Sequence, residues 1–292
     1  MLNLAVIPVA GRGTSLLPLT KSMPKEMLPV GNKPVVQYVA EELIQNGVHR
    51  LLFITGPDKQ AIENHFDINP ELIRFLRQSG KEDILAELAF EREEADYFYT
   101  RQRHQTGLGN AVLCSERFVG DNPFVVALGD TILGYRSRSK IVERMIQVFE
   151  QNRDAAAVIA FDEVPLEEVV QYGIAKPKTV SAEKNGGIFG SVFELEDIVE
   201  KPALEDAPGN LAVAARYVFS PAIFDYLRKT APGIGDAVQL TDGIRLMIQD
   251  GKTVLGLCLP EDEPRYDIGD FYSYYKAFTD FASLLPPLPS IE

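Results

Sequence analysis

The chain has 292 residues, 46% of them hydrophobic, and carries a formal net charge of −13 at pH 7. It is long enough for one large domain or two small ones, and its apolar content suffices to bury a core. The negative charge argues against nucleic acid or an anionic membrane surface as a standing partner, because both require basic patches, but nucleotide substrates stay possible.

The two cysteines and the N-terminus indicate the compartment. Cys114 and Cys258 lie in separate apolar stretches without the spacing of a disulfide or a metal site, so we expect buried free thiols in a reducing environment. The N-terminus lacks the basic segment of a signal peptide, and no apolar run is long enough to span a bilayer. These features predict a cytoplasmic protein.

The first predicted element is a buried strand over residues 3–10, which ends at a glycine-rich loop. Gly11 and Gly13 would let backbone N–H groups approach an anion closely, and Lys25 would add a mobile positive charge. The loop therefore predicts a phosphate-binding site after the first strand of an α/β sheet. A tight turn at the strand exit explains the same spacing equally well, and the Gly-Lys-Ser/Thr ending of a Walker loop is absent.

The next segments predict helices alternating with strands, with parallel pairing of the first two strands. Pro34 opens a helix that Gly47 ends, and residues 51–55 form the second strand. Residues 57–95 are charged and favour helices, and we interpret them as a solvated helical insertion on the sheet. Later strands are predicted at 97–100, 123–128, 155–161, 172–175, 190–195, 211–219, 254–259 and 265–267, with helices through 112–118, at 141–149, at 221–229 and from 240.

An aromatic helix closes the predicted domain. Tyr272, Tyr275, Phe278 and Phe281 recur along it, and core or subunit packing explains this stripe better than a platform for stacking bases. Three prolines predict a tail over residues 284–292. Because the sequence shows no internal repeat and no linker, we predict a single domain over residues 1–283.

An acidic residue follows the apolar strand at 123–128. Ligands of open α/β sheets bind beyond the carboxyl ends of the strands, so Asp130 is a candidate metal ligand. An aspartate that caps a helix or stabilises a turn is the alternative, and the position alone slightly favours this alternative.

Short motifs occur in a fixed order over nearly the whole chain. They are G-x-G-T with P-K-E-M-L-P at 11–29, K-P-x-V-Q-Y at 33–38, I-E-N-H-F-D at 62–67, R-Q at 101–102, G-L-G at 107–109, E-K-P at 200–202, R-Y-V at 216–218, Q-L-T-D at 239–242 and D-x-G at 267–269. With these motifs the chain resembles the bacterial UTP–glucose-1-phosphate uridylyltransferases (UDP-glucose pyrophosphorylases) of the sugar-nucleotidyltransferase superfamily.

The resemblance implies a fold and an activity. The fold would be a Rossmann-like α/β fold, with a mixed, mostly parallel sheet flanked by helices. The activity would be the Mg²⁺-dependent transfer of UMP from UTP to glucose 1-phosphate, which gives UDP-glucose and pyrophosphate. Relatives assemble as dimers or tetramers, so the resemblance also implies a homo-oligomer.

The resemblance further implies roles for individual residues. The nucleotide site would comprise Ala10, Gly11, Gly13 and Thr14, with Glu26, Gln102 and Gly107 at the uracil. The sugar-phosphate site would comprise Gly173, Glu200, Lys201 and Ala215, with Glu200 on the sugar hydroxyls and Lys201 on the phosphate. The catalytic groups would be Lys25, Arg12, Asp130 and Lys201. Lys25 would contact the departing pyrophosphate, and Asp130 would hold Mg²⁺ together with Asp267.

Two positions depart from the family pattern. Ser15 stands where the family has an arginine that faces the nucleotide phosphates, and Ala215 stands where the family usually has glycine. Loss of such an arginine contact would slow the reaction by roughly 10²–10³-fold, unless Arg12 supplies its charge to the same place. The alternative function is therefore a catalytically weakened paralog that binds UDP-glucose or a partner subunit in a regulatory role.

Overall fold

The structure is a computed structural model of one chain and describes residues 2–92, 94–135, 137–178 and 191–284. The predicted tail beyond residue 284 and Gly190, at the start of a predicted strand, lie outside these residues. The strands are β1 Leu4–Pro8, β2 Pro29–Val30, β3 Lys33–Pro34, β4 Arg50–Thr55, β5 Asp96–Arg101, β6 Phe124–Ala127, β7 Thr131–Leu133, β8 Ala155–Glu163, β9 Gly173–Pro177, β10 Val192–Glu200, β11 Leu211–Phe219, β12 Thr253–Cys258 and β13 Arg265–Asp267.

The helices follow the predicted order, except that the helix predicted through Val112 and Phe118 is two short helices. None of the helices in the described residues is long and apolar enough to span a membrane. The helices are α1 Val35–Gln45, α2 Gln60–Phe66, α3 Pro70–Gln78, α4 Leu108–Leu113, α5 Glu116–Val119, α6 Ile141–Gln151, α7 Ile223–Lys229, α8 Leu240–Gln249 and α9 Phe271–Ser283.

Nine of the strands form one mixed sheet in the order β5-β4-β1-β6-β11-β8-β12-β10-β9. The first four in this order are parallel to one another, whereas β11 runs antiparallel to both β6 and β8. β12 is parallel to β8, and β10 is antiparallel to β12 and to β9. The predicted Rossmann-like mixed sheet is confirmed, but the expectation that it is mostly parallel is wrong. Among the described strands of this sheet, four pairings are parallel and five are antiparallel, because β11 and β10 run against their neighbours.

The sheet is buried on both faces. In β1, Leu4 and Val6 pack into one core and Ala5 and Ile7 into the other, because successive side chains of a strand point to opposite faces. One core is closed by α4, α7 and α8, and the other by α1, α2 and α6. Burial on both faces is the reason why the central strands β1, β4 and β6 are continuous apolar runs rather than alternating ones.

The strand order reverses at β1. From β1 the chain builds outward through β4 and β5, and then returns to place β6 on the other side of β1. Such a reversal opens a crevice at the carboxyl ends of the two central strands, where open α/β sheets bind their ligands. Gly11 follows β1 and Asp130 follows β6, so the topology brings these two predicted site residues to the same edge.

The helices predicted over residues 57–95 join two parallel strands. α2, α3 and a 3-10 helix over Glu82–Arg92 lie between β4 and β5 in the chain. They therefore supply the crossover connection that parallel neighbours need. The division into one domain with an insertion remains a prediction.

The aromatic stripe on α9 differs from the prediction. Tyr272, Tyr275 and Phe278 are exposed, and only Phe281 of the four is buried. A spacing of three residues drifts around a helix of 3.6 residues per turn, so the first and last members lie on opposite faces. Core packing is therefore wrong for the three exposed residues, and subunit packing stays a prediction. The buried residues of α9 are Tyr274, Ala277 and Phe281.

Candidate active site

A cavity of about 380 Å³ lies in the crevice between β1 and β6. Its walls come from the segments that follow β1, β5 and β6, which all end at the same edge of the sheet. Eight predicted site residues line it: Ala10, Gly11, Arg12, Lys25, Glu26, Gln102, Gly107 and Asp130. The fold thus gathers five of the seven predicted nucleotide residues and one of the two predicted metal ligands around one space.

The glycine-rich loop is a tightly folded segment. Gly13 has a φ of 64°, a left-handed conformation that favours glycine, and a Cβ there would lie 3.1 Å from the Thr20 side chain. Thr20 Oγ1 donates a hydrogen bond of 2.6 Å to the Gly13 carbonyl, which fixes the turn. Gly13 and exposed Thr14 do not line the cavity itself, so the structure places them at its border rather than in its wall.

Lys25 and Asp130 form an ion pair across the cavity. Burial lowers the pKa of Lys25, but the charges of Asp130 and Glu26 outweigh burial and raise this pKa above its usual value. Burial raises the pKa of Asp130, but the charge and hydrogen bond of Lys25 hold it below its usual value. Both groups are therefore charged at neutral pH.

Asp267 lies next to this pair. β13 runs antiparallel to β7 and places Asp267 opposite Thr131, and the Ile268 N–H donates to the Asp130 carbonyl at 2.9 Å. Burial and the negative charge of Asp130 raise the pKa of Asp267 to about 6. Asp267 lines a separate cavity of about 470 Å³, together with Tyr172 and Arg265.

The chemistry of two aspartates is compatible with a magnesium site that substrate would complete. Within the described residues, no group of three or more His, Cys, Asp or Glu could hold a metal ion. Mg²⁺ is commonly bound by only one or two carboxylates, with water and substrate phosphates filling its octahedral shell. The Ile268 N–H bond to the Asp130 carbonyl holds the two aspartate segments together, whereas the two side chains line different cavities.

A buried ion pair that we did not predict supports the wall of the cavity at Glu26, a residue expected to contact uracil. Lys59 Nζ donates to Glu26 Oε2 at 2.7 Å, and the two side chains are only 6% and 2% exposed. Burial raises the pKa of Glu26, and the positive charges of Lys59 and Lys25 oppose this rise. Lys59 follows β4, so it reaches Glu26 from the same edge of the sheet.

Arg12 and Ser15 each have a defined partner. Arg12 Nε donates to Gln105 Oε1 at 2.7 Å, and Gln105 Nε2 donates to the Ala10 carbonyl, so Arg12 is held at the rim of the cavity. Ser15 Oγ donates to the Gly269 carbonyl, two residues after Asp267. The serine therefore ties the loop to the segment that carries a candidate metal ligand.

The predicted sugar-phosphate residues lie farther along the sheet. β9 and β10 pair Gly173 with Glu200, and a Cβ at Gly173 would lie 3.3 Å from Glu200 Oε2. The Lys201 N–H donates to the Tyr172 carbonyl at 2.9 Å, while its side chain is exposed and pairs with no carboxylate of the described residues. These residues do not line the nucleotide cavity.

The backbone of Ala215 contacts the segment that precedes Asp130. It lies in β11 with a φ of 60°, at a register irregularity between β11 and β8. Its carbonyl accepts a hydrogen bond of 3.1 Å from the Leu128 N–H, just before Asp130. This left-handed conformation favours glycine, which gives a physical reason for the glycine that the resemblance implied here.

A second unpredicted ion pair lies beneath Asp130. Arg216 and Glu42 are fully buried, and their side chains form two hydrogen bonds of 2.7 and 3.1 Å. Arg216 Nη2 also donates to the Thr131 carbonyl at 2.9 Å, which anchors the backbone beside Asp130. The R-Y-V motif contained this arginine, but its partner is 174 residues away in the chain.

Comparison with known proteins identifies the family of the chain. The family described as nucleotidyl transferase matches residues 4–283. The chain is 40% identical over 286 residues to UTP–glucose-1-phosphate uridylyltransferase YngB of Bacillus subtilis, and the match covers 98% of this chain and 91% of that protein.

Two solved structures have the same architecture. A UTP-bound UDP-glucose pyrophosphorylase from Acinetobacter baumannii is 36% identical, with a TM-score of 0.85, and covers 99% of this chain and 96% of its own. A UDP-glucose pyrophosphorylase in complex with UDP-glucose is 32% identical, with a TM-score of 0.83, and covers 98% of this chain and all of its own.

Proposed function

Because the chain belongs to the nucleotidyl transferase family, we propose that it transfers the uridylyl group of UTP to glucose 1-phosphate. A phosphate oxygen of glucose 1-phosphate attacks the α-phosphorus of UTP, the bond from that phosphorus to the oxygen bridging to the β-phosphate breaks, and pyrophosphate leaves. The observation that carries the proposal is the Lys25–Asp130 pair, which lies beside the glycine-rich loop at the reversal of strand order.

This reaction needs charge compensation more than proton transfer. The attacking group is already an ionised phosphate monoester, so catalysis can consist of positioning and electrostatic stabilisation without a general base. Two unit negative charges 4 Å apart repel by roughly 4 kcal/mol at an effective dielectric constant of 20, and each substrate carries several charges. The cationic groups of the site therefore contribute most to catalysis, because they offset the repulsion between the two substrates.

The nucleotide end supplies fixed groups. We assign Gly11, Gly13 and Thr14 to the UTP phosphates and Lys25 to the β- and γ-phosphates that depart as pyrophosphate. A lysine suits this position because it is a compact donor with three N–H groups. Arg12 lies at the rim of the same cavity and would face the phosphates from there.

The sugar end supplies one mobile cation. We assign Glu200 to the sugar hydroxyls, Lys201 to the phosphate of glucose 1-phosphate, and Gly173 and Ala215 to the wall of the sugar site. The exposed and unpaired Lys201 side chain supports this role, because no carboxylate of the described residues has to release it first.

Asp130 and Asp267 would hold Mg²⁺. When bound, the ion would act as a Lewis acid on the phosphate oxygens and bring the two anions together. The donor set of two carboxylates supports Mg²⁺ as the metal, since Mg²⁺ prefers hard oxygen ligands and accepts substrate phosphates as further ligands.

No observation favours the regulatory alternative. Ser15 lacks the charge of the family arginine, but its hydroxyl bonds to the segment of Asp267. Lys25, Asp130, Glu200 and Lys201, the residues that the chemistry requires, are all present. We therefore propose an active enzyme in which Arg12 supplies the positive charge that Ser15 lacks.

The purified full chain tests this proposal directly. With UTP, glucose 1-phosphate and Mg²⁺ we expect release of pyrophosphate, with none when glucose 1-phosphate is omitted and none when EDTA removes the metal. Parallel reactions with dTTP and with galactose 1-phosphate measure the choice of nucleotide and sugar. No pyrophosphate above background at high enzyme concentration would contradict the proposal and favour the regulatory role.

The setting of the enzyme is part of the same proposal. We place it in the cytoplasm, because both cysteines are unpaired, as is usual in a reducing compartment, although Cys114 is only half-buried. We also propose a homodimer or homotetramer. Light scattering on the purified protein measures its mass, and a monomer at micromolar concentration would contradict this part of the proposal.

A further inference from the structure

The side chain of Gln102 has one polar atom without a hydrogen-bond partner among the described residues. Gln102 follows β5, is only 3% exposed, and lines the 380 Å³ cavity. Its Nε2 donates to the Gly107 carbonyl at 3.0 Å and to Asn110 Oδ1 at 2.9 Å, which uses both protons of the amide. No described residue donates to its Oε1, so this oxygen is the polar atom left for a ligand.

The orientation of this amide follows from its neighbours. A backbone carbonyl can only accept a hydrogen bond, so the Gln102 atom beside Gly107 O must be the NH₂ group. The same NH₂ group faces Asn110, which must therefore present its own oxygen. A Gln102 turned the other way would place two oxygens 3.0 Å apart at Gly107.

Asn110 is held where it can make this contact. It lies at the third position of α4, and the neighbouring Gly109 N–H donates to the Val238 carbonyl at 2.8 Å. A Cβ at Gly107 would lie only 2.5 Å from the same Val238 carbonyl, so the turn before α4 cannot carry a side chain or move toward Val238. The start of α4 is thereby fixed against the rest of the fold.

We propose that Asn110 is the positioning residue that makes the site select uracil over cytosine. By accepting from Gln102 Nε2, it keeps Gln102 Oε1 directed at the base. Uracil presents an N3–H donor to such an oxygen, whereas cytosine presents a bare N3 whose lone pair repels it. This inference rests on the proposed binding of UTP in the cavity and adds the residue that decides which pyrimidine is accepted.

The size of the effect follows from what the wrong base leaves unpaired. A site built to bond a substrate N–H discriminates against an analogue without it by about 10⁴–10⁵-fold in favourable cases. Without Asn110 Oδ1, the bond to the Gly107 carbonyl alone holds the Gln102 amide, so the amide can exchange this one bond for a bond from its NH₂ group to cytosine N3. The preference for UTP should therefore shrink without a change in the residue that touches the base.

Two variants of the full-length protein separate this role from a structural one. Asn110→Leu keeps the approximate size and removes the acceptor, whereas Asn110→Asp keeps an acceptor oxygen and suits the N-terminal turn of a helix. For each protein we would measure the equilibrium affinities for UTP and CTP by calorimetry, and kcat/KM for both with glucose 1-phosphate and Mg²⁺.

We expect the wild-type protein to prefer UTP by about 10³-fold or more, in line with an N–H-selective site. The ratio of UTP to CTP affinity should fall at least about tenfold in Asn110→Leu, by the same argument, and stay within about threefold of wild type in Asn110→Asp. An unchanged ratio in Asn110→Leu, an equal fall in both variants, or a wild-type protein without preference would overturn the inference.

The proposed function and this inference fail in different ways. A wild-type protein that prefers UTP in binding but releases no pyrophosphate would contradict the proposed function, while the binding ratios still decide the role of Asn110. A protein that turns over UTP, but whose ratio of UTP to CTP affinity is unchanged in Asn110→Leu, would contradict only the inference. If Asn110→Leu unfolds, Asn110→Ser, whose hydroxyl is too short to reach Gln102, replaces it with the same expected fall.

Discussion

The two ends of the site differ in how their charges are arranged. At the nucleotide end, Lys25 pairs with Asp130 and the buried Lys59 pairs with Glu26. At the sugar end, the Lys201 side chain is exposed, and both Lys201 and Ala215 have left-handed backbones, with φ of 44° and 60°. The lysines at the nucleotide end are paired with carboxylates before substrate binds, whereas Lys201 at the sugar end has no such partner among the described residues.

This difference in charge pairing predicts where a substitution changes both stability and activity. Removing a partner from a buried ion pair leaves a buried charge, so changes at the nucleotide end should lower both activity and stability. Changes to an exposed, unpaired cation should affect only the substrate it binds. Four substitutions probe this contrast, two at each end of the site.

Lys25→Gln should have the largest effect. It removes the positive charge from the departing pyrophosphate and leaves Asp130 without its ion-pair partner, so we expect kcat/KM for UTP to fall by about 10³-fold. Steady-state kinetics measure the loss. Lys21→Gln, in the same loop but exposed, is the control and should change kcat/KM by less than about threefold. A decrease of less than about tenfold in Lys25→Gln would refute the role of Lys25 at the departing pyrophosphate.

Lys59→Met should mainly destabilise the fold. It leaves the Glu26 carboxylate buried without its partner, which should lower the free energy of unfolding by about 3 kcal/mol. Urea unfolding measures this loss. The double variant Lys59→Met with Glu26→Gln should recover most of it, because no buried charge remains. If Lys59→Met lowers the free energy of unfolding by less than about 1 kcal/mol, the Lys59–Glu26 pair does not stabilise the fold as predicted.

Lys201→Gln should act on one substrate alone. We expect the KM for glucose 1-phosphate to rise by about tenfold, as for a lost charge-assisted contact of about 1.5 kcal/mol, with little change in the KM for UTP. The melting temperature should stay that of wild type, because the side chain is exposed and pairs with no carboxylate in the part of the chain that the structure describes. A matching rise in the KM for UTP would place Lys201 at the wrong end of the site.

Ala215→Gly should stabilise the protein slightly. Glycine adopts the observed φ of 60° without strain, so we expect the free energy of unfolding to rise by about 0.5–1 kcal/mol. Ala214→Gly, at the neighbouring fully buried position of β11, is the control and should lower it. If both variants destabilise equally, the strain assigned to the sugar end is absent.

The sequence predicts the site's backbone positions better than its partnerships. Gly11 and Asp130 could be placed because each follows an apolar strand of an α/β sheet, and such strand ends meet at one edge. The partners of the site residues could not, because Lys59 and Glu26 are 33 residues apart and Arg216 and Glu42 are 174 apart. Only the position of Lys59 just after β4 could have drawn attention to it.

The exposed face of α9 escaped prediction for a different reason. Its aromatic residues recur every three positions, and this spacing looks like a stripe in the sequence although it drifts across the helix surface. Ala215 shows the opposite case. Its departure from the family glycine was visible in the sequence, but only the backbone angle explains why glycine suits that position.

The reverse reaction tests uridylyl transfer most directly. The purified full chain, supplied with UDP-glucose, labelled pyrophosphate and Mg²⁺, should produce labelled UTP and glucose 1-phosphate. With UTP and labelled pyrophosphate but no sugar phosphate, no label should enter UTP, because a direct displacement passes through no covalent uridylyl-enzyme. Absence of labelled UTP in the first reaction, or its appearance in the second, would contradict the account.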